Sequence, residues 1–407
     1  MSLLKIKRIP LYLKRFSWEI DFHEMKVLPF LMVFVNCVYM TMSLPALDMQ
    51  LLSYAVQACV ILSFVLMSIL CLKDMELTRY GFLYVIFSFF LFGISIIFSQ
   101  DIKNCIYTMI SILLSLLIFK FYNNNVRFII YAFAIALSFC VYVNFLHLIT
   151  HPTLWLIREE KEGSGYLLGF NYNQMGCRMM IALVTSAICS KFSKIGKFNF
   201  IILAIVCVAS LTFVGSMTSL SSIILFLTFC ILPSAKLREI GILALFIVYL
   251  LFQTFVVCSG KGLENNEFAV YIIEDVLHKD ITFTHRTYMW DSALKTIAKS
   301  PIFGWGYVNM DWYRSFMSSQ ASGPHNFILS IFINGGILLF SLFIVIAYKS
   351  LCEMKSFFQE RMGQILIFGT ICLYFMALME MYPYPIMMYL FILMFYYPYI
   401  GSKKFAL

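Results

Sequence analysis

Long apolar segments separated by short polar links follow one another along almost the whole chain. Most apolar segments run for about 17 to 24 residues, and a helix needs about 20 residues to cross the hydrocarbon core of a bilayer. The pattern therefore predicts an all-α, polytopic membrane protein with about 12 transmembrane helices. The predicted spans are residues 27–43, 51–72, 80–98, 104–121, 126–149, 175–190, 198–215, 219–233, 239–257, 325–347, 362–381 and 384–400.

The composition agrees with a single membrane domain, which we assign to residues 1–407. Hydrophobic residues make up 61% of the chain and charged residues only 13%, and the mean hydropathy is +0.86. Such values exclude a water-soluble enzyme and leave no segment for a second, soluble domain. Few places in this chain are polar enough to hold an active site.

The basic residues indicate which side of the membrane each link occupies. Twenty of the 30 Lys and Arg residues lie in the amino-terminal segment, in alternate links and in the carboxyl-terminal tail. Because basic residues concentrate on the cytoplasmic side, both termini are predicted to be cytoplasmic, and residues 150–174 and 258–324 extracytoplasmic. The net charge of +9 reflects this topology and gives no evidence for nucleic-acid binding.

The longest polar stretch is the segment 258–324, a predicted extracytoplasmic loop between spans nine and ten. It contains two predicted amphipathic helices, 267–278 and 285–299. In the second helix, Trp290, Ala293 and Ile297 fall within about 40° of Arg286, which therefore stands at the head of the apolar stripe. This helix carries part of a predicted active site; the alternative is an amphipathic helix lying on the membrane with an incidental arginine.

A sharp turn and a second helix start follow. Pro301 ends the amphipathic helix, and Gly304 allows the chain to turn back. The tenth span begins near 322–326, where a small residue and a proline are typical of helix starts. We expect His325 and Asn326 in its first turn, where free amides favour an anion and a neutral imidazole. His325 is therefore a candidate general base, with an interface anchor as the alternative.

Other polar groups are predicted near the same face. Arg178 lies one turn into the sixth span, where an unpaired charge is costly and usually functional, and Glu380 lies near the outer end of the eleventh. His147 and His151 have the i, i+4 spacing of metal ligands, but no third ligand follows in motif spacing. We therefore predict no metal site.

Several motifs occur in a characteristic order. Asn171-x-Asn173-x-x-Gly176 enters the sixth span. Next come the Arg286 helix and the motif Pro301-x-Phe303-Gly304-x-Gly306. These are followed by His325-Asn326, an aliphatic run and Gly335-Gly336. In these motifs the chain resembles the O-antigen ligase/polymerase superfamily of bacterial envelope glycosyltransferases.

The resemblance implies a GT-C-like fold and a metal-independent, inverting glycosyl transfer at the outer face of the bacterial inner membrane. The implied donor is an oligosaccharide linked to undecaprenyl pyrophosphate, and the acceptor is a sugar hydroxyl. No cofactor is implied; a chain-length regulator and a flippase are the implied partners. By similarity, the catalytic residues are His325 and Arg286, and the substrate-binding residues are Arg178, Asn171, Asn173, Asn326, Trp290 and Glu380.

One position departs from the superfamily pattern. Such proteins often have a basic residue at the start of the eighth span, where this chain has Met217 in the segment 215–219. Either Arg178 replaces that charge, or the pyrophosphate is held differently.

Three functions remain open from the sequence. The first is a polymerase of lipid-linked repeat units for O-antigen or capsular polysaccharide. The second is an O-antigen ligase with a lipid A-core or another terminal acceptor, because only the acceptor differs. The third is a transporter or flippase for lipid-linked sugars, which would place charges and broken helices near mid-membrane. The predicted clustering of Arg178, Arg286, His325 and Glu380 at one face favours an enzyme.

Overall fold

The structure, a computed structural model, describes residues 26–44, 49–72, 78–156, 165–169, 171–276, 280–283, 285–318 and 321–401. These residues form helices and connecting turns, and their only extended pairing is an isolated bridge between Met42 and Leu168. The longer α-helices are α1 (Val27–Thr41), α2 (Gln50–Leu72), α3 (Arg79–Ile97), α4 (Ile102–Phe121), α5 (Val126–Thr150), α6 (Met175–Cys189), α7 (Lys194–Val214), α8 (Met217–Ile231), α9 (Ala235–Leu251), α10 (Arg286–Lys299), α11 (Met310–Phe316), α12 (Phe327–Glu353), α13 (Arg361–Met376) and α14 (Tyr384–Tyr396).

Shorter helical segments connect them. They are the α-helical turns Thr153–Leu156 and Glu267–Val270, the 3₁₀ turns Asn123–Asn125, Tyr172–Gln174, Gly260–Asn265, Lys355–Phe357 and Tyr397–Gly401, and the π-helical turns Phe252–Val257 and Tyr271–Val276. The predicted loop helix at 267–278 is therefore a short α-helical turn followed by a π-helical one as far as residue 276; residues 277–279 lie outside the described part.

Each of the twelve predicted spans corresponds to a helix, and the all-helical, polytopic fold class is confirmed. Seven helical segments are long and apolar enough to cross a membrane: Gln50–Cys71, Arg79–Ile97, Ile102–Phe121, Asn123–Thr150, Lys194–Val214, Ala235–Val257 and Phe327–Glu353. The count of 12 spans stays a prediction. The amino-terminal basic segment and the tail lysines Lys403 and Lys404 lie outside the described residues.

Helix α6 occupies the centre of the bundle. All 15 of its residues are buried, and it packs against α5 and α7 on one side and α13 on the other. Gly176 permits one close approach, because a β-carbon there would overlap the side chain of Ser219 on α8. A helix buried on every side must satisfy its polar groups within the protein. Arg178 is the charged residue of this helix, and its charge must therefore be stabilised by protein groups.

Helix α12 is broken at Gly335 and Gly336. Gly336 has φ 60° and ψ −158°, a conformation that only glycine adopts readily. The break folds the first two turns back against the rest of the helix, so that the rings of Phe327 and Phe343 lie 5.8 Å apart. In a straight helix these two residues would be separated by about 24 Å. The sequence predicted a span at residues 325–347, and the structure shows that the helix there consists of two parts joined at these glycines.

The glycine-rich turn after α10 fills the break. The Trp305 N–H donates to the Ile333 carbonyl at 2.7 Å, and the Ile337 N–H donates to the Pro301 carbonyl at 2.8 Å. Backbone groups that the break removes from the helical ladder are therefore paired with the turn. Gly304, with φ 68°, allows the contact, because a β-carbon there would overlap the backbone of Asn334 and Gly335.

The apolar stripe of α10 packs against protein. Trp290 and Ala293 are fully buried and share a small core with Leu329 and Ile333 of α12. On the opposite face, Lys295 forms an ion pair with Asp291 at 2.8 Å. The predicted amphipathic helix is thus present, and its apolar face is covered by α12 and the segment 257–263 instead of lying on a membrane surface.

Candidate active site

His325 immediately precedes the helix α12 in a strained conformation. Asn326 is the N-cap, and its side-chain oxygen accepts a hydrogen bond from the Leu329 N–H at 2.9 Å, as asparagine commonly does at this position. His325 has φ 44°, the left-handed region that non-glycine residues seldom occupy. The expectation that both residues lie in the first helical turn is therefore wrong, because the cap falls on Asn326 and leaves His325 outside the helix.

The imidazole of His325 contacts a buried carboxylate. Its Nδ1 lies 3.2 Å from Oε1 of Glu380, and the side chains are 26% and 8% exposed respectively. The same carboxylate oxygen accepts a hydrogen bond from the Met381 N–H at 3.1 Å. With an ionised carboxylate and a neutral imidazole, this contact requires the ring proton on Nδ1 and leaves the lone pair on Nε2. Nε2 faces Ser322, whose Oγ lies 3.4 Å away.

The break in α12 brings this pair together. It folds Phe327 back beside Phe343, about two turns into the longer part of the helix. The Phe327 N–H then donates to the Ala377 carbonyl at 3.0 Å, which fixes the start of α12 against the link between α13 and α14. Glu380 lies in that link, three residues farther along.

Arg286 is attached to the same link. Its Nε donates to the Met379 carbonyl at 2.9 Å, and its Nη1 donates to the Phe283 carbonyl at 3.3 Å. These bonds attach the half-buried guanidinium to Met379, the residue before Glu380. A guanidinium has the planar fork geometry that can pair with two phosphate oxygens.

Trp290 and Asn326 are buried and hold the site in place. Trp290 is fully buried and packs edge-to-face against Phe252 with ring centroids 6.4 Å apart. The Asn326 amide donates to Gln253 at 2.9 Å and to the Leu378 carbonyl at 3.2 Å. In this structure both side chains support the link and the helix starts, and the substrate contact that the resemblance implied for them stays a prediction.

Arg178 lies on the other side of the site and is almost fully buried. Its Nη1 donates to the Gln174 carbonyl at 2.6 Å, and a β-carbon on Gly169 would lie 2.8 Å from the same nitrogen. The Nε is buried and has no hydrogen-bond partner among the described residues. A buried cation with an unsatisfied donor is costly, so its retention in the central helix calls for a function.

Tyr382 connects Arg178 with the His325–Glu380 pair. Its hydroxyl donates to the Asn173 carbonyl at 3.4 Å. Burial raises the pKa of this hydroxyl well above its usual value, Cys177 and Glu380 raise it further, and a hydrogen bond with Ser219 and the charge of Arg178 lower it. Tyr382 thus bonds to the entry of α6, which carries Arg178, and lies two residues after Glu380 in the same link.

The Asn171 and Asn173 motif forms the entry to α6. The Asn171 side chain accepts a hydrogen bond from the Gln174 N–H at 3.0 Å and caps the 3₁₀ turn Tyr172–Gln174. Asn173 contributes its backbone carbonyl to Tyr382. Both residues shape the approach to Arg178.

The helices that end at the site are short. α6 has 15 residues, α13 has 16 and α14 has 13, so each is about 20 to 24 Å long against a hydrocarbon core of about 30 Å. Their opposite ends carry Lys191 and Arg361 in polar links. These three helices are therefore shorter than the hydrocarbon core is thick.

An apolar groove of about 510 Å³ opens beside Arg286. We call it the α8 groove. Its lining includes Met379, whose carbonyl binds Arg286, and Met217, which is 69% exposed. The lining residues are Met217, Thr218, Leu220, Ser221, Ile224, Phe252, Phe375, Leu378 and Met379. Met217 thus stands at the groove and not beside Arg178, while its neighbour Ser219 packs on Gly176.

The two histidines with metal-ligand spacing are engaged otherwise. His147 Nε2 lies 2.6 Å from the Gly165 carbonyl, and His151 Nδ1 lies 3.0 Å from the Thr150 hydroxyl. Within the described residues, no group of three or more His, Cys, Asp or Glu side chains is arranged to hold a metal ion.

Sequence reasoning missed several residues of the site. Gln253 and Tyr382 lie far along the chain from their partners Asn326 and Asn173, so no local spacing signals these contacts. Ser322 lies only three residues before its partner His325, but its role there was not predicted. The proline-flanked link after α13 was the one available signal, because such a turn between two spans is a common place for polar groups.

Residues 198–344 match the model of the family described as O-Antigen ligase. The matched region extends from α7 into α12 and contains Arg286, the glycine-rich turn and His325, whereas Arg178 and Glu380 lie outside it. The match confirms the resemblance to the O-antigen ligase/polymerase superfamily and, with the apolar helices, supports a multi-pass membrane protein. No curated protein and no solved structure matches the chain.

Proposed function

We propose, from the match to the O-antigen ligase family and the geometry of the site, that this protein polymerises lipid-linked oligosaccharide repeat units. The observation that carries the proposal is the contact of His325 with Glu380. The preceding residue, Met379, binds Arg286 through its carbonyl. A base oriented by a carboxylate and a phosphate-binding fork are the two groups that transfer from a pyrophosphate-linked glycan requires.

In the proposed step, Nε2 of His325 accepts the proton of an acceptor sugar hydroxyl. The hydroxyl oxygen attacks the anomeric carbon of the donor and forms the new glycosidic bond. The bond between that carbon and the pyrophosphate oxygen breaks, and the oxygen leaves with the electron pair. Glu380 stabilises the imidazolium that forms, in the manner of a carboxylate behind a catalytic histidine. Attack opposite the leaving group inverts the anomeric centre.

Arg286 has the second role in this proposal. Two negative charges develop or persist on the departing pyrophosphate, and the guanidinium fork can neutralise them without moving. A pyrophosphate is already a good leaving group, so cationic stabilisation and positioning supply most of what is needed. On this basis we propose a metal-independent mechanism without a cofactor.

The α8 groove is the proposed site of the donor's polyprenyl chain. Its lining is mostly apolar and includes Met379, whose carbonyl holds Arg286. A polyprenyl chain in this groove would place its pyrophosphate at the guanidinium. This arrangement would also explain the apolar Met217 at the position where relatives often have a basic residue, since the side chain here contacts the lipid.

The proposed setting is the bacterial inner membrane, with both termini cytoplasmic and the segment 258–324 on the outer side. A flippase would supply the lipid-linked repeat unit to that side, and a chain-length regulator is a further proposed partner. O-antigen ligation to a lipid A-core acceptor remains the second candidate, because it uses the same donor and the same groups. The break in α12 is a feature that a transporter would also have, but the match to the O-antigen ligase family favours an enzyme.

The surface glycan of a strain lacking this gene tests the proposal. Single repeat units in place of long chains are expected from the loss of a polymerase. Full-length polymer retained on the carrier lipid would show a ligase instead, and repeat units trapped inside the cell would show a flippase. Wild-type glycan in the deletion strain would contradict all three functions.

A further inference from the structure

A second apolar groove, of about 360 Å³, lies away from the α8 groove. We call it the α5 groove. It lies between α1, α2 and α5 and is closed on one side by Leu167. No polar surface lines it, and its residues are Phe34, Val35, Val38, Met42, Leu44, Met49, Leu52, Val56, Phe139, Val143 and Leu167.

The α5 groove leads to Arg178 through a short extended segment. The Ser43 N–H donates to the Leu167 carbonyl at 2.8 Å, and the Leu168 N–H donates to the Asn144 side chain at 2.9 Å. Two residues after Leu167, Gly169 packs directly on the guanidinium of Arg178. The segment 167–169 therefore joins the apolar wall of the groove to a buried cation.

The two grooves are lined by different neighbours of the central helix. The helix α6 packs against α5, which lines the α5 groove, and against α8 and α13, which line the α8 groove. Arg286 is bound to Met379 in the lining of the α8 groove, and Arg178 packs on Gly169, two residues after Leu167 in the lining of the α5 groove. The link that holds Arg286 also contains Glu380, which contacts His325.

We propose that the α5 groove binds the polyprenyl chain of a lipid-linked acceptor, with the acceptor's phosphate drawn to Arg178. This inference rests on the proposed function and goes beyond it, because it assigns a second lipid site. Two observations favour this occupant over an ordinary membrane lipid tail. The groove is wholly apolar. The arginine packed on Gly169 is buried, and its Nε has no partner among the described residues, which complements an anionic headgroup.

In this arrangement the phosphates of the two lipids behave differently during transfer. The acceptor supplies only its sugar hydroxyl and keeps its own phosphate linkage intact, while the donor's bond to pyrophosphate breaks at the Arg286 side. After transfer, the lengthened glycan is attached to the lipid in the α5 groove, and the released carrier lies in the α8 groove. Two separate lipid sites fit chain polymerisation, because both substrates carry a polyprenyl tail.

Native mass spectrometry of the full-length protein, with undecaprenyl phosphate as the probe, measures the number of lipids bound. Two bound molecules are expected for the wild type. Val143→Trp fills the α5 groove and should leave one, and Ser221→Trp fills the α8 groove and should also leave one. Leu243→Trp is the matched control, because this residue is 60% exposed and lines neither groove; two molecules are expected. Displacement of both molecules by excess phosphatidylglycerol would overturn the assignment.

A kinetic measurement distinguishes failure of this inference from failure of the proposed function. With lipid-linked donor and acceptor supplied separately, Val143→Trp should raise the KM of the acceptor about tenfold and leave the KM of the donor unchanged. Two bound lipids in Val143→Trp, or a change confined to the donor KM, would overturn the α5 groove assignment even if polymer forms. Two lipids bound by wild-type protein that transfers no glycan would instead refute the proposed function.

Discussion

Oε1 of Glu380 lies 3.2 Å from Nδ1 of His325, while Oε2 of the same carboxylate is buried without a hydrogen-bond partner among the described residues. The carboxylate therefore directs one oxygen at the histidine and keeps the other out of water. Such a group can fix the ring orientation and the tautomer of a base. The contact joins residues 55 positions apart in the sequence.

Replacement of His325 tests the proposed base. His325→Ala should lower the rate about 10²- to 10⁴-fold, the usual effect of losing a general base, and should abolish long glycan chains at normal protein abundance. His325→Gln should retain a trace of activity through hydrogen bonding. Gel electrophoresis of the glycan measures chain length, and immunoblots measure the abundance of the protein. Full-length glycan chains in His325→Ala would show that the histidine only anchors the helix.

Glu380 is a positioning residue, and its replacement should mainly affect turnover. In Glu380→Gln the amide can present its NH₂ group to Nδ1, which favours the wrong tautomer and removes the lone pair from Nε2. We expect kcat to fall by about 10²-fold or more with little change in the donor KM. Glu380→Asp should recover part of the activity. Glu264→Gln, an exposed carboxylate in the same predicted outer segment, is the control; a normal kcat in Glu380→Gln would refute the role.

The guanidinium of Arg286 should not be replaceable by an ammonium group. Arg286→Lys is expected to lose most activity at normal membrane levels, because lysine cannot both donate to the Met379 carbonyl and hold two phosphate oxygens. Arg314→Lys is a matched control, since Arg314 is 45% exposed in its side chain and lies in the same segment. Normal polymer length in Arg286→Lys would show that Arg286 only anchors the link.

The break in α12 should depend on glycine at position 336. Gly336→Ala introduces a β-carbon that overlaps the Ile302 backbone in a backbone conformation that L-residues avoid, at a cost of about 1 to 3 kcal/mol for the strain alone. We expect a lower Tm in detergent and loss of activity. Gly93→Ala, where a β-carbon meets nothing within 4 Å, should leave both unchanged. An equal Tm for the two variants would contradict the described break.

The orientation in the membrane is tested by reporter fusions ending at Asn199 and at Glu264. The 20 basic residues assigned to one side predict that the Asn199 fusion is cytoplasmic and the Glu264 fusion extracytoplasmic. A reporter with opposite activity on the two sides makes the measurement. Cytoplasmic activity of the Glu264 fusion would contradict the placement of the site on the outer face, and with it the proposed function.

Local patterns in the sequence determined most of the helices and several motifs. Hydrophobic run length is a property of consecutive residues, so each of the twelve predicted spans corresponds to a helix. The stripe of Trp290, Ala293 and Ile297 follows from helical periodicity alone, and it is buried or half-buried as predicted. The order of the motifs was sufficient for the superfamily resemblance.

Tertiary structure decided how these elements meet, because contacts between distant segments leave no periodic signal. The pairing of His325 with Glu380 required the chain to fold back at Gly335 and Gly336. In the sequence these glycines were recognised only as the end of a motif, and nothing in that motif indicates the reversal of the chain. The backbone groups freed by that break had to be paired inside an apolar bundle, and the turn after α10 supplies the partners. Pairing backbone groups between segments about 30 residues apart therefore set the geometry of the site.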